Sequence, residues 1–146
     1  MKKIFLPISL LSILIISCDI RKHDNQQKVS ATEKKEIKAP TTVVVIDTTF
    51  DFGKLNEGEI VEYNYRFKNT GNKPLIIEEA IASCGCTVPE KPDHAIAPGE
   101  MGFIKVKFNS DHRPGETHKS ITVTSNAVPE FPTLYLKGTV IGKTNE

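Results

Sequence analysis

Glu59-Ile60-Val61-Glu62-Tyr63-Asn64-Tyr65-Arg66-Phe67-Lys68-Asn69-Thr70-Gly71-Asn72 is the stretch on which the fold turns. Val61, Tyr63, Tyr65 and Phe67 alternate with Glu62, Asn64, Arg66 and Lys68. Successive side chains of a strand point to opposite faces, so this period of two predicts a half-buried strand. The Asn69–Asn72 run is turn chemistry and predicts where that strand stops.

The same period recurs downstream. Ile104, Val106 and Phe108 oppose Lys105 and Lys107, and these two lysines read as the polar face of a strand, with a role in shielding a sheet edge. Ile121 and Val123 oppose Ser120, Thr122 and Thr124, while Leu134, Leu136 and Val140 oppose Tyr135, Lys137 and Thr139. Further strands are predicted over Val43–Phe50 and Leu75–Cys84. The second breaks alternation at Leu75-Ile76-Ile77, which predicts either burial on both faces or a bulge. Asn, Gly and Pro clusters separate the runs, and no helical repeat of useful length follows Val43. The expectation is an all-β chain, one antiparallel β-sandwich of about seven strands over residues 43–142, with 143–146 as a tail. The absence of tryptophan, and of a cysteine pair spaced across two sheets, excludes an antibody-type core.

The other end of the chain obeys different rules. Lys2 and Lys3 precede an apolar run from Ile4 to Ile16, shorter than the ~20 residues a spanning helix needs and suited to a signal peptide over 1–17. Cys18 follows Ser17 directly, as in a bacterial lipoprotein signal, where the cysteine is lipidated and the peptide is cut before it; Ile16 is bulkier than that pattern's usual residue, and a signal peptide cut elsewhere or an uncleaved anchor are the alternatives. Acyl chains contribute about 0.8 kcal/mol per buried methylene, and two or more hold stably where one does not. Asp19–Thr42 has no aromatic residue and few large aliphatics, so residues 18–42 are predicted to be a lipidated cysteine and a disordered tether. Such a tether reaches roughly 25–30 Å as a random coil.

Taken in order, Phe50-Asp51-Phe52-Gly53, Gly58, Phe67-Lys68-Asn69-Thr70-Gly71, Leu75-Ile76-Ile77, Ser83-Cys84-Gly85-Cys86-Thr87, Ile96-Ala97-Pro98-Gly99-Glu100 and Val106-Lys107-Phe108 resemble the bacterial family called domain of unknown function 1573. The resemblance covers about residues 47–142, and its Ser-Cys-Gly-Cys-Thr segment is the most specific part. It implies an exported or lipid-anchored protein of a kind common in Bacteroidetes. It further implies an immunoglobulin-like sandwich, similar to major sperm protein and Hydin-type domains, which bind and scaffold without known catalysis.

With Cys18 assigned to the anchor, Cys84 and Cys86 remain as near neighbours in a chain of three cysteines. Four readings stay open at this level. A disulfide between them would close almost no loop, would be strained and easily reduced, and could use a left-handed Gly85 to bring the sulfurs together. A soft-metal grip would favour Cu(I), with His112, His118 or His94 as candidate extra ligands beside Cys84 and Cys86. Thiol-disulfide exchange with a partner is the third reading, although the spacing is shorter than Cys-x-x-Cys. Two reduced residues shaping a turn is the fourth.

No catalytic constellation stands out. Ser83 lacks a nucleophile-elbow context, the adjacent pair Asp111-His112 does not imply a triad, and Glu78-Glu79 reads as a solvated strand edge. A net charge of +1 without a basic patch argues against a nucleic-acid partner. The expected function is therefore a non-enzymatic binding or scaffolding module at the bacterial cell envelope. It would be held to the membrane by lipid, facing the periplasm or exterior, with an envelope protein or glycan as partner. An envelope redox or copper-handling role for Cys84 and Cys86 is the alternative.

Overall fold

The computed structural model describes residues 39–143, all of them in strands, turns or loops. The signal peptide over 1–17, the lipidated Cys18, most of the tether and the last three residues lie outside the described residues. Eight strands form: β1 (Val43–Val45), β2 (Thr49–Asn56), β3 (Ile60–Asn69), β4 (Ile77–Ala82), β5 (Thr87–Glu90), β6 (Met101–Asn109), β7 (Gly115–Ser125) and β8 (Leu134–Ile141). They make two four-stranded sheets, ordered β1-β3-β6-β5 and β2-β8-β7-β4. The domain is an immunoglobulin-like β-sandwich.

The alternation read from the sequence sets which side chains meet between the sheets. Tyr65, Phe67, Ile104, Val106 and Phe108 from one sheet are buried with Ile121, Leu134, Leu136 and Val140 from the other. Each large side chain removed from water in this way contributes about 1.5–3 kcal/mol. Tyr65 carries a hydroxyl into that layer and donates it to the Tyr135 carbonyl at 2.7 Å. Burial pushes its phenol well above the ordinary tyrosine range, so it stays a proton donor.

Several expectations need correction. Val43–Phe50 is two strands: the chain leaves one sheet after β1, bends at Ile46–Thr48, and joins the other sheet as β2. Asp47 fixes that crossing, since its carboxylate accepts Arg66 Nε at 2.7 Å, Arg66 Nη2 at 3.0 Å and the Arg66 backbone N–H at 3.1 Å. The sandwich is also not wholly antiparallel, because β2 pairs with β8 in parallel. The predicted strand Leu75–Cys84 shortens to β4, which carries a bulge as a register shift between Ile77 and Glu79, just past the Leu75-Ile76-Ile77 run. The prolines from Pro89 to Pro98 belong to the clusters that separate strand runs in the sequence, yet Thr87–Glu90, with Pro89 inside it, is paired to β6. That pairing makes β6 an interior strand, so Lys105 and Lys107 do not guard an edge; they bind Glu62 across the sheet face at 3.3 and 2.7 Å. Order also begins before Val43: Thr41 is buried, and its hydroxyl shares one proton between Asn69 Oδ1 and the Lys73 carbonyl, each at 3.0 Å.

Strand registers divide the loops between two poles. Thr41, the Asn69–Pro74 turn, the Pro98-Gly99 turn and the Asn126–Pro132 loop gather where the chain comes in. The β2–β3 turn, the Ser83–Cys86 crossover, the Ser110–Pro114 loop and the Gly142-Lys143 exit gather at the other.

Candidate functional site

The pole opposite the incoming chain holds most of the candidate residues. Here the chain passes from β4, an edge strand of one sheet, to β5, an edge strand of the other, within Ser83–Cys86. Backbone bonds hold that passage: Ser83 N–H to the Ser120 carbonyl at 2.9 Å, Thr87 N–H to Cys84 at 3.2 Å, and Asn109 N–H to Cys86 at 3.0 Å. Cys84 and Cys86 are joined by a disulfide, with Cα atoms 5.4 Å apart. Gly85 does not take a left-handed conformation to achieve this, and a Cβ on it would meet nothing within 4 Å.

The neighbouring loops are stitched together by side chains. Ser110 is fully buried; its hydroxyl lies 2.7 Å from the Glu59 carbonyl and 3.0 Å from that of Asn56, and accepts the Gly58 N–H at 3.0 Å. Glu57 accepts the backbone N–H groups of His112 and Lys143, each at 3.1 Å. Asn109 Oδ1 accepts the Asp111 N–H at 2.9 Å. This bracing holds His112 at a φ of 55°, an uncommon conformation for a non-glycine residue, with its ring 87% exposed. Gly85, Cys86, Asn109, Asp111, His112 and Arg113 surround a shallow cavity of about 310 Å³.

The sequence candidates therefore separate. His112 shares this cavity with Cys86, whereas His118 lies on the outer face of β7, stacked on Tyr135 at 5.3 Å. His94 sits on the β5–β6 loop, bonded to Asp93 at 2.8 Å, and that carboxylate holds its imidazole above the usual histidine range. With the two sulfurs bonded to each other, no thiolate pair is on offer to Cu(I), so the set Cys84, Cys86 and His112 is not assembled in this state. A different donor set, Glu57, Asp111 and His112, has its atoms within 4.8 Å of one another, but Glu57 is already committed to two backbone N–H groups. Cys18 lies outside the described residues.

Glu57, Asn109, Ser110 and Arg113 were not foreseen. Their signal was local turn chemistry, Asn-Glu-Gly at 56–58 and Asn-Ser-Asp at 109–111, which marks two loops without saying that they touch.

The family model described as "Protein of unknown function (DUF1573)" matches residues 43–140. No curated protein sequence matches the chain. Among solved structures, a protein of unknown function from Porphyromonas gingivalis W83 is similar over 70% of this chain and 48% of its own, with a TM-score of 0.59 and 15% identity. The chain thus spans about half the length of that relative. The ASH / PapD-like domain 7 of human CEP192 is similar over 71% of this chain and 88% of its own, with a TM-score of 0.55 and 13% identity. At such identities the likeness speaks to the fold.

Proposed function

The chain belongs to the DUF1573 family, and from that premise we propose that it is a non-enzymatic binding or scaffolding module of the bacterial cell envelope. It is anchored by lipid at Cys18, and it presents the loop pole around His112 to an envelope protein or glycan. One observation carries this reading: the described chain comes in at one pole, while the braced loops with exposed His112 and Arg113 sit at the other. A tether joined at Thr41 attaches at the pole opposite those loops, so the point of attachment does not cover them. Loops held in place before a partner arrives lose little entropy on binding it.

Two measurements test the reading. The mass of the N-terminal peptide from membrane-extracted protein should show acylated Cys18, and Cys18→Ser should release the protein to the soluble fraction; unmodified Cys18 sinks the anchor. Capture from envelope extract should then be compared for the wild type, His112→Ala/Arg113→Ala at the far pole, and Val128→Ser at the near pole. A partner kept by the near-pole variant and lost by the far-pole variant supports the assignment. The reverse pattern sinks it.

The alternative of redox chemistry draws its support from the bond between Cys84 and Cys86.

A further inference from the structure

The bond between Cys84 and Cys86 contributes little that a fold of this kind needs. It encloses a single residue, and cross-links act mainly by closing long loops in the unfolded chain. Backbone bonds at Ser83, Thr87 and Asn109 tie the crossover to its neighbours as well. A cross-link that closes so small a loop, at a loop pole, points to chemistry more than to bracing.

The two sulfurs are not equivalent. Cys86 is 7% exposed and belongs to the buried core, whereas Cys84 is only partly buried and packs against that core from outside. Thr87 Oγ1 lies 3.6 Å from Cys84 Sγ and 3.8 Å from Cys86 Sγ, so its hydroxyl can turn a proton toward whichever sulfur carries charge. The cavity bordered by Cys86 also carries Arg113 and His112, together with the opposing carboxylate of Asp111. The Arg113 guanidinium in that cavity favours negative charge on a sulfur released there, against the opposing cost of Cys86's burial.

We propose that Cys84–Cys86 is a directional thiol-exchange site for an external dithiol, with Cys84 the sulfur attacked and Cys86 the sulfur released. One thiolate of the dithiol attacks Cys84 Sγ, forming a mixed disulfide as the bond between the two cysteines breaks. The electron pair of that bond stays on Cys86 Sγ, which then takes a proton from water. The dithiol's second thiolate attacks its own sulfur in the mixed disulfide and releases Cys84 as a thiolate, which takes a proton from water. The net result is two thiols on this chain and a disulfide on the dithiol. Because the backbone keeps both cysteines in place, the bond can re-form when an oxidant returns. The inference goes beyond the binding reading and does not depend on it.

A monothiol arrests the sequence after its first step. The full chain with Cys18→Ser, its Cys84–Cys86 bond intact, is incubated with glutathione, quenched with an alkylating agent and mapped by peptide mass spectrometry. The expected product carries glutathione on Cys84 and the alkyl group on Cys86, in excess of the reverse product by about tenfold, as access and leaving-group stabilisation dictate. Equal amounts, the reverse product, or no adduct after exposure that fully converts an unfolded control overturns the proposal. A second measurement compares Cys86→Ser and Cys84→Ser, each in the Cys18→Ser chain, for reaction with an aromatic disulfide. Cys84 should react faster than Cys86 under native conditions and at the same rate in denaturant; a native Cys86 as fast as Cys84 overturns it.

Discussion

Asn69 shows how a motif residue can be a structural bolt. It is fully buried and makes four hydrogen bonds with its side chain. Oδ1 accepts from Thr41 Oγ1 and the Gly71 N–H at 3.0 and 3.1 Å, while Nδ2 donates to the carbonyls of Lys73 and Ile96 at 2.8 and 2.9 Å. Asn69→Ala removes all four bonds at once, and although each partner keeps a second hydrogen bond, each one lost contributes about 0.5–1.5 kcal/mol. The expected loss is about 3 kcal/mol, read from the urea midpoint at unchanged slope. Gly71 sits so close to the incoming chain that a Cβ on it would stand 2.6 Å from Thr42 N, with Thr41 Oγ1 in the way as well. Gly71→Ala should therefore be as damaging as the asparagine change, whereas Gly85→Ala, with open space at its Cβ, should move the midpoint within error. Replacing both Cys84 and Cys86 by alanine should cost no more than about 1–2 kcal/mol on the chain-entropy estimate for so small a loop. A loss larger than that of Asn69→Ala would mean that the bond braces the fold after all.

At the scale of strands, the period of two was enough to place β3, β6, β7 and β8, because each buries one face and wets the other. What the sequence concealed were the departures from that rule. Val43–Phe50 alternates too weakly to reveal that its two halves serve different sheets, since the switch is made by Asp47 reaching Arg66 on another strand. β5 was hidden by Pro89 and by Pro92 beyond its end, which suit an edge and limit its pairing to four residues. Each other edge is blunted in its own way: β1 by its three-residue length, β2 by the register shift between Asp51 and Lys54, and β4 by its bulge. In the candidate site, the cysteine pair was legible as a pair, but its partners arrive from loops distant in sequence and no local pattern joins them. The Asp47 crossing has a pH signature. Hydrogen bonds from the Arg66 guanidinium, opposed by the cost of burial, hold its carboxyl below the usual range. A folded value below the unfolded one means that the contribution is present above about pH 4 and is lost as the pH falls through the lowered value. Urea midpoints from about pH 6 down to about pH 2.5 should thus fall more steeply for the wild type than for Asp47→Asn. Parallel slopes would show that the clamp does not couple to folding.

At the scale of the molecule, the termini of the described chain lie at opposite poles. Thr41 bridges Ala127 at one, while Gly142 and Lys143 emerge beside Glu57 and Pro114 at the other. A fused domain attached close to the last residue must therefore share space with His112, Arg113 and the Cys84–Cys86 crossover. The same domain attached ahead of residue 39 joins at the opposite pole, about one strand length away. The expected outcome is an asymmetry. A folded fusion joined directly after Glu146 should weaken capture of an envelope partner, and should slow glutathione exchange at Cys84 in the Cys18→Ser chain. An N-terminal fusion of the same mass should leave both close to wild type. Lengthening the C-terminal junction with a flexible Gly/Ser spacer should restore both activities, because the obstruction is steric and falls as the effective concentration of the fused domain near the pole falls. Equal effects from the two fusions would place the working surface on a sheet face, within reach of either end.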